Sequence, residues 1–146
     1  MDCERYPEFV AEIKKAEVIR RQTWGASTGN GKPSQWAREE IWTKQEARFF
    51  KPVRYLLHIV GEPFQQISWQ EIRGISKYNE GSWILRSLSN GLTEVDYNIT
   101  MEKGVFIPNL VVHCAIKWAL PNLLQSFKRR AEAIYQRAPV LHPTSS

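Results

Sequence analysis

Over Val53 to Met101 the chain alternates apolar and polar residues in short bursts separated by turn residues. Val53, Tyr55, Leu57 and Ile59 alternate with Arg54, Leu56 and His58. Ile67 and Trp69 alternate with Ser68 and Gln70, and Val95, Tyr97, Ile99 and Met101 with Glu94, Asp96, Asn98 and Thr100. A period of two predicts half-buried antiparallel strands with their polar side to water. Gly61-Glu62-Pro63 supplies one turn, and Asn90-Gly91 is the strongest short hairpin signal in the sequence. Between them, Ser76 to Ser89 forms a further strand through Trp83 and Leu85. Upstream, Glu17 to Trp24 predicts a strand. Trp36 to Gln45 predicts another, whose inward face stays open because charge falls on both alternating sets. Asp2 to Ile13 predicts a short helical or turn region that starts near Pro7, with Phe9, Val10 and Ile13 as its apolar side. Gly25 to Ser34 is a loop by composition.

The period changes at Phe106. Leu120, Leu124, Phe127, Ala131 and Ile134 fall at steps of four, three, four and three, one stripe of a long amphipathic helix reaching Arg137. Pro108 suits a first-turn position. Pro121 interrupts the pattern, predicting two helical pieces joined by a kink near Lys117 to Leu120. The sum is an α+β domain over residues 1–138. About six antiparallel strands form a curved sheet, and the helix lies across the face carrying Tyr55, Leu57, Ile67, Trp69, Trp83, Leu85, Tyr97 and Ile99. Residues 139–146 are expected to be a flexible tail.

Composition adds an ambiguity and several exclusions. Six Trp, five Tyr and six Phe suit either a bulky core or a lined pocket. The net charge of +5 is spread over small clusters, Lys14-Lys15, Arg20-Arg21 and Lys128-Arg129-Arg130. These suit solvated faces or a surface that associates with a ribosome or another complex, without a motif for specific nucleic-acid recognition. Cys3 and Cys114 are too far apart for ligand-like spacing and are expected to be free thiols. No apolar run reaches the ~20 residues needed to cross a bilayer, and the N-terminus has no signal-peptide core. A cytoplasmic protein is expected. Gly31-Lys32 invites comparison with a phosphate-binding loop, but Ala26 stands where that motif needs its first glycine and Pro33 follows the lysine.

Several segments together resemble a known family: Arg5-Tyr6-Pro7-Glu8-Phe9, Gly81-Ser82-Trp83 with Leu85, Gly91-Leu92-Thr93-Glu94-Val95 with Tyr97, Leu120-Pro121, and Phe127 to Glu132. Their order resembles the START-like, helix-grip superfamily, in its polyketide cyclase/dehydrase and coenzyme Q-binding branch. Members begin with a strand and a helix ahead of the tyrosine-proline segment. This chain starts almost at that segment and is expected to lack both, about twenty residues, leaving one sheet edge unpaired.

The resemblance implies a cavity between sheet and helix for a lipid-, quinone- or polyketide-like molecule. The expected lining is Tyr55, Leu57, Trp69, Trp83, Leu85, Tyr97, Ile99, Met101, Leu120, Leu124 and Phe127. Apolar walls with a few polar tips hold such ligands; the alternative is that the same side chains simply fill a core. Peripheral contact with a membrane is a further expected partner. No cofactor or metal site is expected, since Cys, His and carboxylates nowhere cluster with ligand spacing. An enzyme would need an acid, base or nucleophile in the walls. His58 lies on the outward set and His113 next to Cys114 on the helix, so no catalytic residue is assigned. Glu71 and Arg73 continue the inward parity of Trp69 as polar groups at the mouth. Three readings follow: a binding module, a cyclase or dehydrase using the same cavity, and a ribosome- or complex-associating factor.

Overall fold

The computed structural model describes residues 1–25, 38–48 and 51–137. Most of the Gly25–Ser34 loop with its Gly31-Lys32 pair, the Trp36 end of the second strand, and the 139–146 tail lie outside the described residues. Six antiparallel strands pair in chain order as one sheet. They are β1 (Ile13–Trp24), β2 (Arg38–Arg48), β3 (Pro52–Glu62), β4 (Gln66–Arg73), β5 (Tyr78–Ser87) and β6 (Thr93–Glu102). β1 starts earlier than its β-branched residues suggest and carries register shifts at Ile13/Lys15 and Val18/Arg20. Such bulges bend a long edge strand and increase its twist. The β5–β6 turn closes with the Gly91 N–H on the Leu88 carbonyl at 3.1 Å, Gly91 taking a φ of 78°.

Register decides which side chains share a face, because directly paired residues point the same way. Ile41, Thr43, Gln45 and Ala47 pair with Ile59, Leu57, Tyr55 and Val53. Ile59 and Leu57 pair onward with Trp69 and Glu71. This inner face settles the orientation of β2. Of its inward residues these four are buried, although two of them, Thr43 and Gln45, are polar.

A 3-10 helix (Cys3–Glu8) precedes β1, with Pro7 inside it rather than at its start. It ends with the N–H groups of Phe9 and Val10 both on the Tyr6 carbonyl, at 3.2 and 2.8 Å. The deepest burial lies beneath this segment. Cys3, Ile41 and Ile59 form the central cluster, with Met1, Tyr6, Val18, Leu57, Ile67 and Trp69 packed against it.

The C-terminal helix runs as α1 (Asn109–Cys114), a π turn (Ala115–Ala119) and α2 (Leu120–Arg137). Pro108 caps α1 rather than entering it, its carbonyl accepting from the Val111 and Val112 N–H groups at 3.0 and 3.4 Å. The widened turn falls where a kink is expected. Pro121 has no N–H to offer the preceding turn and its ring crowds the Lys117 carbonyl; a π turn accommodates both. Leu120, Leu124 and Phe127 of the predicted stripe are half-buried, but Ala131 and Ile134 face solvent. Arg130 takes the inward place instead. Its guanidinium lies 5.5 Å from the centre of the Phe9 ring and 3.6 Å from Glu8. The N-terminal segment meets the helix there, and a long aliphatic stem with a charged tip suits that junction.

Candidate functional site

The site is built on the inner face of β3 to β6. Ile67, Trp83 and Tyr97 form one cross-strand row; Ile59, Trp69, Gly81 and Ile99 form the next. Leu85 pairs with Val95, and Asn79 with Met101. All eight strand residues predicted as lining therefore share one face. The ring of Trp69 lies over Gly81, where any Cβ would collide with the indole and with the Asn98 carbonyl. This close approach lets the indole stack on Tyr97 with centroids 5.4 Å apart.

From Tyr97 an aromatic column crosses to the helix. Tyr97 meets Trp83 edge-on at 4.7 Å, and Trp83 meets Phe127 at 5.2 Å. Phe127 in turn contacts Tyr6 and Phe9, each at 5.2 Å. Edge and tilted contacts of this kind are the favourable geometries for aromatic rings. Sheet, helix and N-terminal segment are thus joined at Phe127, and the space between them is filled at that level. Along β6 it is not. Val95, Ile99 and Met101 remain exposed on the inner face, so the apolar wall is open to solvent on that side.

The polar groups on this face are specific. The Tyr55 hydroxyl donates to Gln45 Oε1 at 3.2 Å. Glu71 accepts from the Ser76 N–H at 3.2 Å and from Asn79 Nδ2 at 3.0 Å. Arg73 lies beyond a register shift opposite Leu56 and is exposed, so only Glu71 keeps the inward parity expected of the pair. Burial pushes the Tyr97 phenol up to about 12. Burial, and then the charge of Glu71, raises Tyr55 well above the ordinary phenol value. Both are hydrogen-bond donors at neutral pH, not bases. Thr43 Oγ1, Gln45 Nε2 and Asn79 Oδ1 are buried without a hydrogen-bond partner among the described residues. Sequence pattern did not place Thr43 and Gln45, because charge on both alternating sets of this strand left its inward face open. Their shared parity with Ile41 and Ala47 was the available signal.

His58 is on the outer face, as its parity predicts. It stacks on Trp42 at 4.4 Å, and its Nε2 is 3.2 Å from Glu40. A groove of about 470 Å³ opens beside it, lined by Ser68, Gln70, Glu80, Ser82 and Thr100 among others. Most of its lining shares the outer parity of His58, while Trp69, Gly81 and Ile99 border it from the inner-face row. His113 is exposed on α1, and Cys3 and Cys114 are free thiols, that of Cys3 donating to the Tyr6 hydroxyl at 3.6 Å. Among the described residues no group of three Cys, His or carboxylate side chains could hold a metal, and no helix is long and apolar enough to cross a membrane.

Comparison with known proteins comes down on one family. A model described as polyketide cyclase / dehydrase and lipid transport matches residues 1–128. A START superfamily protein from Mycobacterium smegmatis superposes with a TM-score of 0.66 at 18% identity, over 91% of this chain and 84% of that one. A Thermus thermophilus protein does so with a TM-score of 0.69 at 21% identity and the same coverages. At such identities the likeness establishes the fold, a START-like helix grip. Among curated proteins, none matches the sequence.

Proposed function

Because the chain belongs to the polyketide cyclase/dehydrase and lipid transport family, whose members bind hydrophobic molecules, we propose that it holds a lipid-, quinone- or polyketide-like molecule against its inner sheet face. The observation that carries this reading is the open apolar wall on β6. Val95, Ile99 and Met101 are exposed beside the Trp69–Tyr97–Trp83 column, on the one face of the sheet that should be covered. A guest laid between β6 and the helix would remove that surface from water, contributing roughly 25 cal/mol per Å². Tyr97 supplies orientation, since its hydroxyl has no partner among the described residues and stays protonated. Leu120 and Leu124 form the helix side of the same cleft, with Tyr55 and Leu57 deeper along the sheet. Trp83 and Phe127 close its inner end.

Turnover of a poly-β-keto chain in the same cleft is the second reading, and the geometry favours it less. The tyrosines are held protonated, and Glu71 is already engaged by two donors. That leaves no poised base on the wall. Association through Lys128 to Arg130 is weaker still. Arg130 is turned towards Phe9 and Glu8, and Lys128 lies 4.0 Å from Glu132.

The test is uptake of a long-chain fatty-acid fluorophore and of a ubiquinone analogue, followed by tryptophan quenching. Saturable binding is expected, weakened about tenfold or more by Ile99→Asp, which places a charge on the open wall. Undiminished affinity in that variant would count against the site.

A further inference from the structure

Between β6 and α2 the chain presents apolar side chains to solvent on a surface that should be polar. Gly104 to Ile107 is a tight turn, closed by the Ile107 N–H on the Gly104 carbonyl at 3.1 Å. Lys103 Nζ also donates to the Ile107 carbonyl at 3.0 Å. Val105 and Phe106 therefore stand at the tip, Phe106 being 98% exposed. Beyond the turn, Ile107, Val111, Val112, Cys114 and Ala115 are half-buried. The opposite side carries Leu110, His113, Ile116 and Lys117 at helical spacing, with Leu110 70% and Trp118 64% exposed. An ordinary surface helix places charged and polar residues there.

Along this stretch of the chain the charge has one sign. From Lys103 to Ala131 the sequence contains no Asp or Glu, while Lys103, Lys117, Lys128, Arg129 and Arg130 all fall within it. Glu102, immediately before, is matched by Lys77 at 2.8 Å. Lys117 Nζ lies 5.7 Å from the centre of the Trp118 ring. This pairing of an amphipathic indole with a long-stemmed cation suits the headgroup level of a bilayer.

We infer that the Val105–Phe106 tip and the exposed side of α1 and the π turn dock on an anionic lipid surface. The apolar side chains enter the boundary between headgroups and acyl chains, and Lys103 and Lys117 face the anionic headgroups. The helix lies on the surface, since it is too polar to cross. This goes beyond the ligand proposal and stands apart from it, because the substitutions that test docking are not on the β6 wall.

The experiment is co-sedimentation of the full chain with vesicles of phosphatidylcholine alone or mixed with phosphatidylserine, at low and high salt. Binding is expected only to the mixed vesicles, falling as salt rises. Phe106→Ser with Leu110→Ser should weaken it about tenfold or more, and Lys117→Gln about fivefold. Both sites are exposed, so the melting temperature should not move. Brominated lipid should quench fluorescence in the native chain and much less in Trp118→Phe. Equal binding to neutral vesicles, or double-variant binding at native strength, would overturn the inference. So would a dimer in solution that the double substitution dissociates, which would assign the surface to a second copy of the chain.

Discussion

Tyr97 shows how one buried side chain couples this fold to pH. Its phenol rises from an ordinary 10.0 to about 12 through burial alone, so the folded state keeps a proton that the unfolded chain releases first. The stability this gives is intact below pH 10, declines above it, and is lost by about pH 12. Tyr6 and Tyr55 are raised in the same direction, chiefly by burial. The urea midpoint should therefore fall as pH climbs past 10, and Tyr97→Phe should make that fall shallower. At neutral pH the same substitution should change stability by less than about 1 kcal/mol, since the hydroxyl has no hydrogen-bond partner among the described residues. A midpoint flat from pH 9 to about 12 would contradict this reading. Ile41 lies at the other extreme. Fully buried in the central cluster, it should cost about 2–5 kcal/mol when changed to Ala, measured by chemical denaturation.

At the scale of elements, legibility followed periodicity. β3 to β6 could be read with their inner face correct, because their large apolar residues recur at every second position, without a break in β6 and with Leu56, Val60, Ile72 and Ile84 as exceptions on the other face. β2 could not, because Thr43 and Gln45 point inward while Trp42 points outward. Tertiary packing, not polarity, sets that parity. The helix stripe was legible through Phe127 and then diverged, since Arg130 is held by Phe9 and Glu8, contacts with no trace in helical spacing. Arg130→Ala should cost about 1 kcal/mol through lost stacking and packing, and Ala131→Ser almost nothing, both by thermal melts. The kink was legible from Pro121, but the π turn that absorbs it was not. Pro121→Ala should restore a hydrogen bond to the Lys117 carbonyl and raise the melting temperature. A lower melting temperature would mean that the π turn is held by packing rather than by the proline.

At the scale of the molecule, the long C-terminal helix dominates the sequence but not the core. The most deeply buried side chains lie in and beneath residues 1–10, where a six-residue 3-10 helix leaves little periodic signal. The helix meets the sheet through Trp83 and Phe127 and leaves the β6 side of the inner face open. This division is how one domain can be stable and still keep apolar surface exposed: the N-terminal segment supplies the closed core, and Val95, Ile99 and Met101 stay uncovered on β6. Native mass spectrometry of the freshly purified chain tests that division most directly. The account predicts a population carrying the extra mass of an apolar molecule, released by organic solvent and much reduced in Ile99→Asp, with the fold unchanged by circular dichroism. A single unliganded mass, together with no uptake of the fatty-acid fluorophore or the ubiquinone analogue, would contradict it.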